Sequence, residues 1–432
     1  MLAKKKIFKS TFLRNVISVA SGAAGAQLLT LLFMPLITRL YSTEAFGVLG
    51  VFTALVLVLT PLVSLTYPIA IILPRQDSEA KSVAKLCVVI AAIISLAVTV
   101  IILCANKQIT TWFNLQSLES YLLLVPIALF FSTLQQVMLQ WLIRKKQFKT
   151  IGKTAITQSL IINVLKSGLG IINPVGWVLI ILATISHALY ALQLWRAGNR
   201  CSEEKDRIQG FMAGRENLKD FAFNYIAFPL YRAPQQFINA LSQSLPVIML
   251  ATFIGASSAG FYALAKSVMA APVALIGKSV GDVFYPRITD AAYSGQDLYK
   301  LVKKATLLLA LIAVVPFMTV SFFGPELFSV FFGKDWFVAG EYARWLALWL
   351  LFSLLNKPCV AALPVLNLQK YFLYYEVIGI LISAAGLYTC LVIFKDDLLA
   401  IKCFSLIWMF LNMFLISAVL ISCKSFKRVP VL

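Results

Sequence analysis

Charge is scarce in this chain: 13% of its 432 residues are Asp, Glu, Lys or Arg, against roughly 25% in soluble domains. With 60% of the residues apolar as well, a soluble globular domain is excluded. Histidine is scarcer still. The single one, His187, lies in an apolar run with no carboxylate or cysteine nearby, which leaves no material for a histidine metal site or a catalytic triad. The cysteines Cys87, Cys104, Cys201, Cys359, Cys390, Cys403 and Cys423 form no C-x-x-C pair and fall mostly inside apolar runs, where the thiol serves as a packing group. P-loop and D-x-D patterns are missing, and the one G-x-S-x-G match, Gly277-Lys278-Ser279-Val280-Gly281, falls inside an apolar run. The chain is therefore not expected to be an enzyme or an ATP-driven pump, and no cofactor or metal is expected.

What is present is a succession of apolar runs near the length of roughly 20 residues that a helix needs to cross a bilayer. Spans are expected near residues 12–40, 46–73, 83–105, 120–142, 150–172, 175–196, 223–254, 258–284, 301–323, 341–366, 371–394 and 397–422. The first is too long for the core of a cleaved signal peptide and is read as a retained helix. The longest outer loop is expected at 323–341. A net charge of +20 would point to nucleic acid if it lay on one face of a soluble domain. Topology explains it better. Lys4, Lys5, Lys6, Lys9 and Arg14 precede the first run, and alternate loops hold Arg75, Lys81, Lys85, Arg144, Lys145, Lys146, Lys149, Lys153, Lys300, Lys303 and Lys304. That bias is the positive-inside rule, and it places both termini in the cytoplasm.

The polar stretch 197–222 falls midway and reads as a cytoplasmic linker between an N-terminal six-helix bundle, 1–196, and a C-terminal one, 223–432. The halves echo each other: Pro35 with Pro246, Gly47 with Gly260, Pro74-Arg75 with Pro286-Arg287, and Phe131-Ser132 with Phe352-Ser353. The expected fold is an all-α integral membrane protein of about 12 transmembrane helices, in two six-helix bundles related by a pseudo-two-fold axis along the membrane normal.

An ionisable side chain at mid-bilayer costs about 2.5–3.5 kcal/mol on insertion scales, so it normally faces a bundle interior or a wet cavity. Lys166, Arg232, Lys266, Lys278 and Lys357 fall within expected spans, and against these five stand Asp282 and Glu376, near the cytoplasmic ends of their helices. Helical spacing places Gln235, Gln236, Asn239 and Gln243 on the face of Arg232, and Ser159, Asn163, Gly170 and Asn173 on that of Lys166. Ser132, Gln136 and Gln140 add a third polar face, and Asn356 stands beside Lys357. The alternatives are a Lys278–Asp282 ion pair and lysines that snorkel to the interface. Fixed cations suit phosphate and amides suit sugar hydroxyls, so the expected ligand is an anionic glycolipid. Arg75 and Arg287, at matching repeat positions, are candidate guides at the cytoplasmic mouth. Glu376 and Asp282, and in principle His187, are the candidate coupling groups.

The segment from Leu36 to Gly47, Leu-Ile-Thr-Arg-Leu-Tyr-Ser-Thr-Glu-Ala-Phe-Gly, resembles the Wzx-type flippases of the polysaccharide transporter family, as does Tyr67-Pro-Ile-Ala-Ile-Ile-Leu-Pro-Arg75. Ser42 or Thr43 can cap the second span, Glu44 complements its dipole, and Gly47 permits close packing. The resemblance implies a bacterial inner-membrane, multi-pass flippase. It would move undecaprenyl-diphosphate-linked oligosaccharide, for O-antigen or capsule, from the cytoplasmic to the periplasmic leaflet by alternating access. The partners implied are the lipid-linked oligosaccharide, membrane lipid and other glycan-assembly membrane proteins, with no nucleic acid. Multidrug and toxin extruders belong to the same superfamily, so drug export stays open. So does a non-transporting role as polymerase or scaffold.

Overall fold

A computed structural model describes residues 11–112, 116–201 and 218–425. The basic residues before 11 and most of the expected linker, 202–217, lie outside the described residues. Among the described residues every regular element is helical. The chain divides by compactness into two units, Met1–Gly260 and Phe261–Leu432.

The first unit holds α1 (Thr11–Leu40), α2 (Thr43–Ser64), α3 (Asp77–Trp112), α4 (Leu124–Arg144), α5 (Phe148–Ile172), α6 (Gly176–Cys201), the short α7 (Leu218–Asn224) and α8 (Ala233–Phe253). The second holds nearly all of α9 (Ala256–Tyr293), then α10 (Leu298–Phe332), α11 (Phe337–Leu355), α12 (Lys357–Ala362), α13 (Gln369–Tyr388) and α14 (Asp397–Ser425). Eleven described stretches are long and apolar enough to cross a membrane. The twelfth expected span is α8, which has the length, 21 residues, but is not among the eleven.

Lipid offers no hydrophobic drive between helices, so close van der Waals contact and interhelical hydrogen bonds hold them together. The small stretch Ser21-Gly22-Ala23-Ala24-Gly25-Ala26 lets α1 lie on α5: a Cβ at Gly22 would collide with the Gly152 backbone, and one at Gly25 would come 3.1 Å from Ile156. Ser42 caps α2 by accepting the Ala45 N–H at 3.2 Å, with Glu44 in the first turn, as the sequence predicts.

Gly47 has the close contact expected of it, and its partner is informative. A Cβ on Gly47 would collide with the Ala256 carbonyl, and a Cβ on Gly260 with the Thr43 carbonyl. The contact is reciprocal, and its two sides differ by the same 213-residue offset that separates the ends of α1 and α8 and the starts of α2 and α9. Such an exchange is what a duplicated helical hairpin produces when its two copies meet face to face. This contact, together with the packing of α8 on α2, keeps α8 in the first unit.

Two expected boundaries change. Residues 323–341 are not a loop: α10 bends at Phe323 (φ −115°, ψ 20°) and runs on to Phe332, Gly333 turns the chain, and α11 starts at Phe337. The bend follows from Pro325, which lacks the N–H that would bond the Ser321 carbonyl. The seventh span is not continuous from 223; α7 is followed by a π turn, Phe228–Arg232, which absorbs Pro229 before α8 begins.

Candidate substrate-binding surfaces

The α8 helix buries Ala233, Ala240, Ser244, Val247, Leu250 and Ala251, a small, mostly apolar face set against α2. Its other face is polar. Arg232, Gln235, Asn239 and Gln243 are exposed and Gln236 is half-buried; Arg232 donates to Gln235 Oε1 at 3.3 Å. The approach to this helix is anchored on the corner after α2, where Leu65 and Thr66 both adopt left-handed conformations (φ 45° and 55°), rare for a β-branched residue. Thr66 Oγ1 donates to the Phe228 carbonyl at 3.2 Å and Tyr67 to the Ala222 carbonyl at 3.0 Å. The π turn carrying Arg232 is thus tied to the first unit.

The face of α5 behaves differently. Asn163, expected beside a cavity, is 3% exposed and donates to the Ser159 carbonyl at 2.8 Å and to Thr30 Oγ1 at 3.3 Å. Ser159 in turn donates to the Ala26 carbonyl at 2.8 Å. These groups fasten α5 to α1, because a buried amide in this position finds its partners on the neighbouring helix. Gly170 lies beneath the Tyr41 ring, and Tyr41 donates to the Lys166 carbonyl at 2.9 Å. Lys166 itself is half-buried. On α4, Gln136 and Gln140 are half-buried, while Gln135, unremarked in the sequence, places Oε1 2.8 Å from His187 Nδ1.

In the second unit, Lys266 stands over the Tyr262 ring, 5.8 Å from its centroid. Lys357, the first residue of α12, runs along Gly277, where a Cβ would come 3.1 Å from the lysine Cε. Gly277 is three helical turns from Lys266 on α9, so Lys357 packs along the face of α9 that carries Lys266. Asn356, expected next to Lys357 in a cavity, is 6% exposed and joins α11 to α14 through Asn412 Oδ1 at 2.8 Å. Glu376 is half-buried on α13. The side chains of Lys278 and Asp282 lie outside the described residues.

Arg75 and Arg287 are exposed; Arg287 donates to Gln296 Oε1 at 2.9 Å. The guanidinium that shapes the region around Arg75 is Arg144, which the charge bias counted only as an orientation signal. It pairs with Asp77 at 2.9 Å, donates to the carbonyls of Ile71, Ile72 and Pro74, and donates to that of Arg75 at 3.2 Å. Lys145 closes the same carboxylate at 2.6 Å.

A profile of the polysaccharide biosynthesis protein family matches residues 36–341. The amylovoran biosynthesis protein AmsL of Erwinia amylovora is 22% identical over 134 residues, 31% of this chain and 34% of that protein. The match therefore spans about a third of that relative's length. Among solved structures, the lipid II flippase MurJ in an inward closed conformation superposes with a TM-score of 0.73 at 13% identity, covering 93% of this chain and 87% of MurJ. A multidrug resistance MATE family transporter of the MOP superfamily, inward-facing, gives 0.70 at 12% identity over 94% of each chain. The fold is the one these transporters share.

Proposed function

Because the chain belongs to the polysaccharide biosynthesis protein family, and has the fold of MOP-superfamily transporters, we propose that it flips a diphosphate-linked oligosaccharide across the bacterial inner membrane. The lipid carrier is undecaprenyl, the glycan an O-antigen or capsule repeat unit, and both termini are cytoplasmic. Arg232, Lys166, Lys266, Lys357 and Lys278 bind the diphosphate, and Gln236, Asn239, Gln243, Gln136 and Gln140 bind sugar hydroxyls. Arg75 and Arg287 guide the headgroup at the cytoplasmic mouth. Glu376 and Asp282 couple transport to an ion gradient. The two six-helix halves, 1–196 and 223–432, alternate access about the linker 197–222, and the 213-residue offset of the hairpins supports that duplication.

The observation that carries this reading is α8: membrane length, with an exposed arginine followed by amides. Hydrocarbon would not tolerate that face, and an anionic, hydroxyl-bearing headgroup would. The likeness to MATE transporters favours drug export as the second reading. Exporters of cationic drugs generally rely on embedded carboxylates, however, and here Glu376 and Asp282 stand against the five cations Lys166, Arg232, Lys266, Lys278 and Lys357. Purified protein in liposomes, assayed for movement of a diphosphate-linked glycan and separately for uptake of a cationic dye, distinguishes the two. Glycan movement without dye transport is expected; dye transport alone would overturn the flippase reading.

A further inference from the structure

The α10 bend leaves the Ser321 carbonyl without its usual helical donor, since Pro325 stands four residues on. Arg344 of α11 supplies one: its Nε donates to Ser321 O at 3.1 Å. Its stem is wedged over Gly324, where a Cβ would come 2.8 Å from Arg344 Cγ. Stem and Nε are thereby fixed. Among the described residues the two Nη groups, with four N–H donors, make no hydrogen bond or ion pair.

This guanidinium is exposed inside a membrane-length stretch, Lys334–Ala362. Its surroundings are apolar and equally exposed: Phe322 (63%), Phe323 (58%) and Phe337 (45%). Further along, α10 exposes Leu307, Leu311 and Val315, the surface of a helix facing lipid. Hydrocarbon cannot satisfy four charged donors, whereas a lipid phosphate can. Glu341, one turn before Arg344 on the same face, forms no ion pair with it and has no hydrogen-bond partner among the described residues. A cation and a carboxylate, side by side and unpaired, match a headgroup that carries both charges.

We propose that the Phe337–Glu341–Arg344 face beside the α10 bend binds a zwitterionic phospholipid with a primary ammonium, namely phosphatidylethanolamine. Arg344 holds the phosphate and Glu341 accepts from the ammonium. A choline headgroup has no N–H for that carboxylate, and a purely anionic headgroup would meet its charge.

Native mass spectrometry of the detergent-released full chain with equimolar phosphatidylethanolamine, phosphatidylcholine and phosphatidylglycerol tests this. The wild type should retain phosphatidylethanolamine over either competitor by roughly tenfold, the effect of one charge-assisted hydrogen bond. Glu341→Gln should erase the preference over phosphatidylcholine, and Arg344→Gln should reduce retention of all three. Equal retention by the wild type, tighter retention of phosphatidylglycerol, or an unchanged preference in Glu341→Gln would overturn the proposal. Because Arg344→Gln also removes the bond to Ser321 and could fail to fold, Glu341→Gln and the wild-type competition decide the matter on their own.

Discussion

The polar faces of α5 and α8 contain the same kinds of residue and sit in different surroundings. On α5, Ser159 and Asn163 are buried and bonded to Ala26 and Thr30 of α1. On α8, Arg232, Gln235, Asn239 and Gln243 stay exposed, and the buried face is made of alanines, Ser244, Val247 and Leu250. A polar residue in a membrane helix has two stable solutions, a partner on the next helix or access to water and ligand. What decides between them here is the neighbour. Opposite α5 is a helix thinned by glycines, close enough to bond; where α8 meets α2, its own alanines make the contact.

Several substitutions can break or sharpen this contrast. Arg232→Gln should lower glycan flipping in liposomes by at least about a hundredfold, with folded protein unchanged, because it removes the charge from the exposed face proposed to bind the diphosphate. Gly47→Val should be next in effect, driving the side chain into the Ala256 carbonyl; the cost of such overpacking is about 1–3 kcal/mol or more, read as a lower melting temperature and less folded protein. Arg144→Gln frees several carbonyls and leaves Asp77 with Lys145 alone. It should destabilise by about 1–2 kcal/mol, discounted because Asp77 is part-exposed, and flipping should fall together with the folded fraction. Asn163→Ala should have the smallest effect, about 0.5–1.5 kcal/mol from one interhelical network, with flipping per folded molecule within about twofold of wild type. If Asn163→Ala instead stops flipping without loss of stability, α5 and α8 do not differ in the way described.

Much of this was legible in the sequence. Apolar run length gave the helices, the echo between the halves matched Gly47 with Gly260 although not their contact, and of the two cap candidates Ser42 and Thr43 the structure uses Ser42. Helical spacing put Arg232, Gln235, Asn239 and Gln243 on one face, and all four are exposed. It failed on α5, because spacing reports which residues share a face but not what that face meets, and the partner Thr30 lies 133 residues away. Asn356 misled for the same reason, through Asn412. Arg144 counted only as an orientation signal, and Arg344 went unremarked, because a charge near a span end satisfies the orientation rule without further explanation. For Arg344 a local signal did exist: Pro325 frees the carbonyl of Ser321, and an arginine in the next helix is a natural donor. No comparable signal pointed to Arg144.

The most direct test compares one residue from each face. In a background with the native cysteines replaced, Asn239→Cys on α8 and Asn163→Cys on α5 are labelled with a water-soluble maleimide, with and without diphosphate-linked glycan. Position 239 should react at least about tenfold faster than position 163 and be slowed by the glycan, as expected of an accessible binding face against a buried helix contact. Equal labelling at the two positions, or labelling at 239 that the glycan does not slow, would contradict the assignment of α8 as the substrate-facing helix.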